Sequence, residues 1–458
     1  MAEVEHPKRG FIREIMLLAG IALIVGNVIG DAIFITTGPM LSGVGTALMI
    51  SVALAIIPMT FFILYNTQLG EALPVTMADY SCTSRVLGPT AGWFIAWSAI
   101  CLWSLTLGIE GFAFASYLQA IVPGVPILPV SIGVILFFGL INYFGIRVAA
   151  AVQLFLTALF VVLPLLVFIV GGWPHIQPEL HQPLFPLGVG AMVFMIVPAV
   201  WCYIGFGSIT TWAAELKNPR RNIPLTLGIS LGVIAVIYFG VIWVLSGVMP
   251  WQEAGAVAIG EAAMGFLPQW LGYFVIWGAL FAFATTINTI MIPGSRAILA
   301  IARDNVIPRY FSRLNRFRSP AAGVVAITII GLIGAPLAYN ILPYVVLIML
   351  FMMVIHGLDA TAVFLLPRKM PDIWNKSPLK FSPFWRWFTW IGVLVCAVAI
   401  VVITLVETWM SGVIAVGVLA VGAVYWYARR GYLRRRGIVL EETMRELNPE
   451  AKAELAER

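Results

Sequence analysis

Residues 15–41 form an apolar run whose middle reads Gly26-Asn27-Val28-Ile29-Gly30-Asp31-Ala32-Ile33-Phe34. The run is long enough to cross a bilayer, for which about 20 residues suffice. Glycine is a weak helix former, and Asn and Asp draw hydrogen bonds away from the backbone. A break at membrane depth is tolerated only where the freed backbone faces protein or a watery cavity. A half-helix starting near Asp31 aims its free N–H groups, the positive end of its dipole, into that cavity. These features together describe a binding site near the bilayer midplane. A glycine packing face is the alternative, because Gly26 and Gly30 also have GxxxG spacing. The intramembrane aspartate favours a site.

The rest of the chain has the same apolar character. Hydrophobic residues make up 61% of the 458 and charged residues only 10%, against about 25% charged in ordinary soluble domains. The runs are too long for the strands of an outer-membrane barrel, which leaves an all-α integral membrane protein. Spans are expected at 15–41, 46–66, 91–119, 127–144 and 148–172, then at 187–213, 225–249, 269–300, 321–338 and 341–366. Two more fall at 387–406 and 410–428, giving about twelve. The chain thus divides into a cytoplasmic arm (1–14), a first set of spans (15–172), a second set (187–366), two further spans (387–428) and a cytoplasmic tail (429–458). No cleavable signal peptide is apparent, since the first run is too long and has no small-residue cleavage site.

Basic residues set the orientation. With residues 1–13 inside, the inner segments carry Arg85, Arg147, Lys217, Arg220, Arg221, Arg303, Arg309, Arg313, Arg316 and Arg318. Arg368, Lys369, Lys376, Lys380 and the run from Arg429 to Arg436 follow. The outer segments near 120–126, 173–186, 250–268, 339–343 and 407–409 contain no Lys or Arg. Both termini are therefore expected in the cytoplasm, in a multi-pass protein of the cytoplasmic membrane. The net charge of +6 is a topology signal and gives no reason to invoke nucleic acid. Cys82, Cys101, Cys202 and Cys396 have neither disulfide-framework nor zinc spacing. With no metal constellation and no P-loop, neither an enzyme nor a cofactor is indicated.

The sixth span repeats the oddity of the first. Trp201-Cys202-Tyr203-Ile204-Gly205-Phe206-Gly207-Ser208 puts two glycines and polar groups in mid-span. Equivalent helices five spans apart run in opposite directions, the geometry of an inverted repeat. Two unrelated glycine packing points would give the same pattern.

At these residues the chain resembles the amino acid–polyamine–organocation (APC) superfamily of permeases. Gly26-x-x-Ile29-Gly30-x-x-Ile33-Phe34 is similar to that family's first-span signature. Ile204-Gly205-Phe206 through Ala213-x-Glu215-x-Lys217-Asn218-Pro219-x-Arg221-x-Ile223-Pro224 resembles its most specific motif. Ser295-Arg296, Ala302-Arg303-Asp304-Asn305-x-Ile307-Pro308, Leu69-Gly70-Glu71-x-x-Pro74 and Asp79-Tyr80 are also family-like. The resemblance implies a LeuT-type 5+5 inverted repeat with helices 1 and 6 broken, plus two extra C-terminal helices. Departures bear on substrate. Ala32 replaces the family's third first-span glycine, and Asp31 stands where a small or hydroxylated residue is usual. Gly207 stands where an acidic residue is common, and Ala214 replaces the first Glu of an Ala-Glu-Glu. The fifth-span position where some proton-coupled members carry lysine aligns with Phe160.

The implied substrate site is built from Val25, Gly26, Asn27, Ile29, Gly30, Asp31, Ala32 and Glu110, with Trp201, Tyr203, Ile204, Gly205 and Phe206 opposite. Trp201 is a candidate gate, with ordinary aromatic packing as its alternative. The coupling candidates are Asp31, Glu110, His356, Asp359, Asn288 and Thr289. Intramembrane ionisable groups are functional candidates by default. Asp31 can also cap its half-helix, and Glu110 can take up a proton. His356 and Asp359, at i and i+3, are either a proton relay or a static pair. Asn288 and Thr289 are candidate sodium ligands, or else bond to their own backbone. Arg296 lies nearer the cytoplasm. Lys217-Asn218-Pro219-Arg220-Arg221 reads as an inner-gate and topology element. The expected function is secondary transport of an amino acid or related amine by alternating access. Its partners are a small-molecule substrate, with the proton as candidate co-substrate, and the lipid bilayer. Alternatives are a polyamine or organic-cation transporter selected by Asp31, a channel, or a non-transporting amino acid sensor.

Overall fold

A long apolar segment in a bilayer must satisfy its backbone internally, which a helix does. In the computed structural model, described for residues 14–30, 32–255, 258–336, 341–407, 409–444 and 446–456, every regular element is helical. One isolated bridge, between Ile15 and Leu216, is the exception. Asp31, nearly all of the expected arm (1–14) and the last two tail residues lie outside the described residues. Among the described residues, nine helical stretches are long and apolar enough to cross a membrane by length and composition. Two shorter apolar helices, Ile127–Tyr143 and Ala321–Gly334, accompany them. The first stretch, Leu17–Ala72, covers both the first and second expected spans. It turns at Gly45, whose φ of +68° and contact with Pro186 both exclude a side chain.

Burial separates the centre of the bundle from its rim. Over its apolar stretch, 83% of Gln269–Arg303 (the eighth span) and 72% of Pro89–Gln119 (the third) are buried. For Ile146–His175, Pro383–Val406 and Trp409–Arg435 the figure is 28%. Val170, Val236 and Val406 are exposed on the outer surface. Such apolar exposure is normal where lipid is the solvent and a liability in water. Without a hydrophobic drive between helices, close packing does the work of association. At Gly108 of the third span, an added Cβ would lie 2.8 Å from the backbone of Gly334 in the ninth.

Both the first and sixth spans are interrupted. Helix Leu17–Val28 ends with Ile29 out of helical geometry (φ −85°, ψ 79°), and the chain resumes in a π-helical turn, Ala32–Thr36. Helix Gly188–Trp201 gives way to a turn at residues 202–205, then to 3-10 turn Phe206–Ser208, helix Ile209–Trp212 and turn Ala213–Glu215. Gly205 sits at φ +134°, where an added Cβ would also meet Val28 at 2.8 Å and Asn27 at 2.9 Å.

Buried ion pairs tie one end of the bundle together. Arg296 of the eighth span holds Glu215 through Nε (2.8 Å) and Nη2 (3.2 Å). The Glu215 carbonyl accepts the N–H of Ile15 at 3.0 Å. Arg85, in short helix Ala78–Val86, grips both oxygens of Asp304 at 2.6 and 2.9 Å. The tail returns to the same elements: Glu454 takes Arg303 at 2.8 Å and the N–H of Thr76 at 2.7 Å. Fork-to-carboxylate geometry of this kind fixes orientation as well as adding energy.

Gly108→Ala is expected to lower stability by about 1–3 kcal/mol through overpacking. Gly133→Ala, where nothing lies within 4 Å of the new Cβ, should be neutral or stabilising. Thermal unfolding of the two purified variants in detergent checks the contrast.

Candidate functional site

A helix that stops leaves its last carbonyls without intrahelical partners, and both interrupted spans stop inside the protein. Side chains from neighbouring spans take up the load. The Gly26 carbonyl accepts the hydroxyls of Thr285 (3.3 Å) and Thr286 (3.2 Å) from the eighth span. The Val28 and Cys202 carbonyls, one from each break, both face the hydroxyl of Tyr238 at 3.0 and 2.7 Å. The Gly205 carbonyl accepts Asn27 Nδ2 at 3.1 Å and Ser208 Oγ at 2.7 Å. Asn27 Oδ1 in turn accepts the Thr289 hydroxyl at 3.2 Å. Asn27 therefore joins the first, sixth and eighth spans in one buried contact.

Gly26 is a glycine for a steric reason: a Cβ there would lie 1.8 Å from Gln153 Nε2 and 2.5 Å from Thr157 Oγ1. Those two fifth-span residues face the first break. The aligned Phe160 does not; it stacks on Phe281 with centroids 4.3 Å apart. A π-helical turn, Thr157–Val162, rotates the chain beyond Thr157 relative to a regular helix. Gln153 Oε1 accepts Asn288 Nδ2 at 3.0 Å, and Asn142 Nδ2 reaches Asn288 Oδ1 at 3.0 Å. Asn288 is thus turned toward the fourth and fifth spans. The eighth-span hydroxyls on a first-break carbonyl belong to Thr285 and Thr286, while Thr289 serves Asn27.

Of the other expected site residues, Val25, Ile29 and Ala32 are buried around the first break. Glu110 reaches it: its Oε1 lies 3.1 Å from where a Gly30 Cβ would sit. Asp31 lies outside the described residues. Trp201 and Tyr203 are buried beside the sixth break, and the Trp201 Nε1 and Tyr203 hydroxyl have no hydrogen-bond partner among the described residues. Ile204, Gly205 and Phe206 line a cavity of ≈ 50 Å³, room for a water or two and too small for a whole amino acid.

That cavity extends from the sixth break to His356 and Asp359 of the tenth span, with Tyr65, Asn66 and Asp79 on its wall. His356 and Asp359 share it without pairing with each other. His356 Nδ1 shares a hydrogen bond with the Tyr65 hydroxyl, and its ring stacks on Phe62 at 4.0 Å. Asp359 Oδ1 accepts the Thr83 hydroxyl at 3.1 Å. Asp79, in the short helix between the second and third spans, accepts the Tyr80 N–H at 2.8 Å. Burial pushes its carboxyl above the usual carboxylate range, against the pull of that N–H. Sequence reasoning placed Asp79 in a family-like loop but not in the site. It missed Tyr238, Thr285, Thr286 and Gln153 altogether.

Replacing Tyr238 by Phe strips the shared donor from two buried carbonyls, and replacing Asn27 by Ala strips one more. Each is expected to destabilise by about 1–3 kcal/mol. Because both side chains join the same two breaks, the double variant should fall short of the sum of the singles, as read by thermal unfolding.

The family model described as amino acid permease matches residues 15–428. A methylthioribose transporter of Bacillus subtilis is 24% identical over 78% of this chain and 82% of its own length. A vacuolar cationic amino acid transporter 4 of Arabidopsis thaliana is 25% identical over 70% of this chain and 57% of its own. A branched-chain amino acid permease of Bacillus subtilis is 25% identical, with 64% of this chain and 67% of its own covered.

Proposed function

The chain belongs to the amino acid permease family, within the APC superfamily, and on that premise we propose that it is a secondary transporter of an amino acid or related amine. Membership makes it a membrane protein of amino acid transport. The finer reading is alternating access, with the substrate held near the bilayer midplane between the first and sixth spans. The observation that carries it is the contact of Asn27 Nδ2 with the Gly205 carbonyl at 3.1 Å. It brings two interrupted spans face to face, as a closed midplane site requires and a continuous pore does not.

Dividing Leu17–Ala72 at its Gly45 turn and adding the two shorter apolar helices brings the nine candidate stretches to twelve spans. In the LeuT-type arrangement, spans one to five and six to ten are inverted repeats and the last two are additions. Both termini then lie in the cytoplasm, in the cytoplasmic membrane. Substrate lies against Gly26, Asn27, Gly30 and Glu110 on one side and Trp201 and Gly205 on the other. Trp201 acts as the gate. The side chain at position 31 sets whether the pocket favours a carboxylate or an amine, since an ionised Asp31 repels an anion. Two unit charges about 4 Å apart repel by about 4 kcal/mol at an effective dielectric near 20. Protonation of Asp31, or an amine substrate without a carboxylate, removes that penalty.

Uptake by proteoliposomes, with a panel of amino acids and amines and with or without sodium, tests the reading. Saturable uptake of at least one panel member is expected; none taken up, or uptake linear in concentration, contradicts it. Trp201→Leu should slow turnover more than it weakens equilibrium binding, because a gate acts on the moving step. Asp31→Asn should change substrate range or pH dependence; a variant unchanged in both removes Asp31 from the mechanism.

A further inference from the structure

The cavity beneath the sixth-span break has a composition that transport of a neutral solute does not need. Two carboxyl side chains line it, Asp79 (6% exposed) and Asp359 (1% exposed). No Lys or Arg is among the described lining residues. Their hydrogen-bond donors are neutral, the Tyr80 N–H and the Thr83 hydroxyl. The nearby cation, Arg85, spends two of its nitrogens on Asp304. Two buried carboxylates close together do not both stay ionised unless something neutralises them. The third wall supplies a polar atom in want of a ligand. His356 is buried with its Nδ1 taken by Tyr65, and its Nε2 has no partner among the described residues.

We infer that this cavity is a subsite for an alkylammonium group, the terminal amine of a basic amino acid or of a free amine, held between Asp79 and Asp359. The inference rests on the transport reading above and names the substrate class. An ammonium carries three N–H donors and no acceptor, which suits two carboxylates and the hydroxyls of Thr210 and Thr211 on the same wall. The volume of ≈ 50 Å³ takes an ammonium head and little else. Gly207 lines the cavity on the side of the break, where an added Cβ would meet only Asn66, at 3.9 Å. Gly207 therefore serves space rather than packing.

Protons compete for the same two carboxylates. The titratable or charged groups facing them are Tyr65 from the second span, Cys82 and Arg85 from helix Ala78–Val86, and His356 from the tenth. The third and sixth spans contribute Trp103, Thr210 and Thr211, which do not titrate. A cationic substrate thus binds best when the pair is ionised, and acid weakens it.

The test compares lysine, putrescine and leucine uptake by proteoliposomes of the full chain. Lysine or putrescine should be carried, with a KM that rises as the pH is lowered, while any leucine KM moves less. Asp359→Asn and Asp79→Asn, on different elements, should each raise the KM of the cationic substrate about tenfold or more, the loss of one charge-assisted contact. Gly207→Val, which narrows the cavity on the side of the break, should lower the ratio of cationic to neutral uptake. Leucine uptake without lysine or putrescine uptake overturns the subsite and leaves amino acid transport standing. Uptake of no amino acid or amine overturns the reading on which it rests. A cationic-substrate KM indifferent to pH overturns the subsite even where the carboxylate variants fail to fold, because that arm uses the unaltered protein.

Discussion

Backbone carbonyls released inside a membrane protein have no water to turn to, and each one left unpaired costs several kcal/mol. This constraint governs the centre of the molecule. Gly26, Val28, Cys202 and Gly205 all present such carbonyls, and all are met by side chains. The donors come from the first, sixth, seventh and eighth spans, so no single helix can shift without disturbing the satisfaction of the others. Tyr238 is the sharpest case, because one hydroxyl stands between two carbonyls from different breaks. Its single proton serves one of them at a time. The one hydroxyl thus ties the two breaks to the seventh span.

The glycines follow from the same constraint. At Gly205 and Gly26 the backbone lies so close to the opposing span that a methyl group would collide with Asn27 or Gln153. Close approach is what lets Asn27 reach across. Farther along the bundle, Arg296 with Glu215 and Arg85 with Asp304 hold the end where the sixth span finishes and the tail returns. Removing one partner of such a buried pair leaves an uncompensated charge, typically about 3–5 kcal/mol.

How much of this was legible in the sequence depends on contrast. Polar residues within an apolar run stand out, so both interruptions could be read from Gly26, Asn27, Gly205 and Gly207. Glu110 stands out for the same reason, but its place in the site came from the family resemblance; the structure brings its Oε1 to Gly30 of the first break. Thr285, Thr286 and Tyr238 have no such contrast, since hydroxyl and aromatic residues are ordinary in membrane helices. Their role appears only when the facing carbonyl is known. The side chains of the fifth span that lie against Gly26 are Gln153 and Thr157, whereas Phe160 stacks on Phe281; the π-helical turn at Thr157–Val162 sets that phase, which sequence spacing does not carry. His356 and Asp359 stand at i and i+3 in the sequence, and in the structure both line one cavity. Their partners, Tyr65 and Thr83, lie far away in the chain, and spacing within one helix could not reveal them. The docking of the tail through Glu454 was equally invisible, as it rests on Thr76 and Arg303 from separate elements.

Alternating access requires that the two interrupted spans form one closed site that opens in turn to either side. Counterflow tests it most directly. Proteoliposomes are preloaded with unlabelled substrate, diluted into a trace of the labelled compound, and followed in time. Alternating access through a single site predicts that label rises transiently above its equilibrium level, because outward loads recycle the site inward. A monotonic approach to equilibrium would mark a pore, and no entry of label despite measurable binding would mark a sensor. Either result would rule out alternating access through a single site.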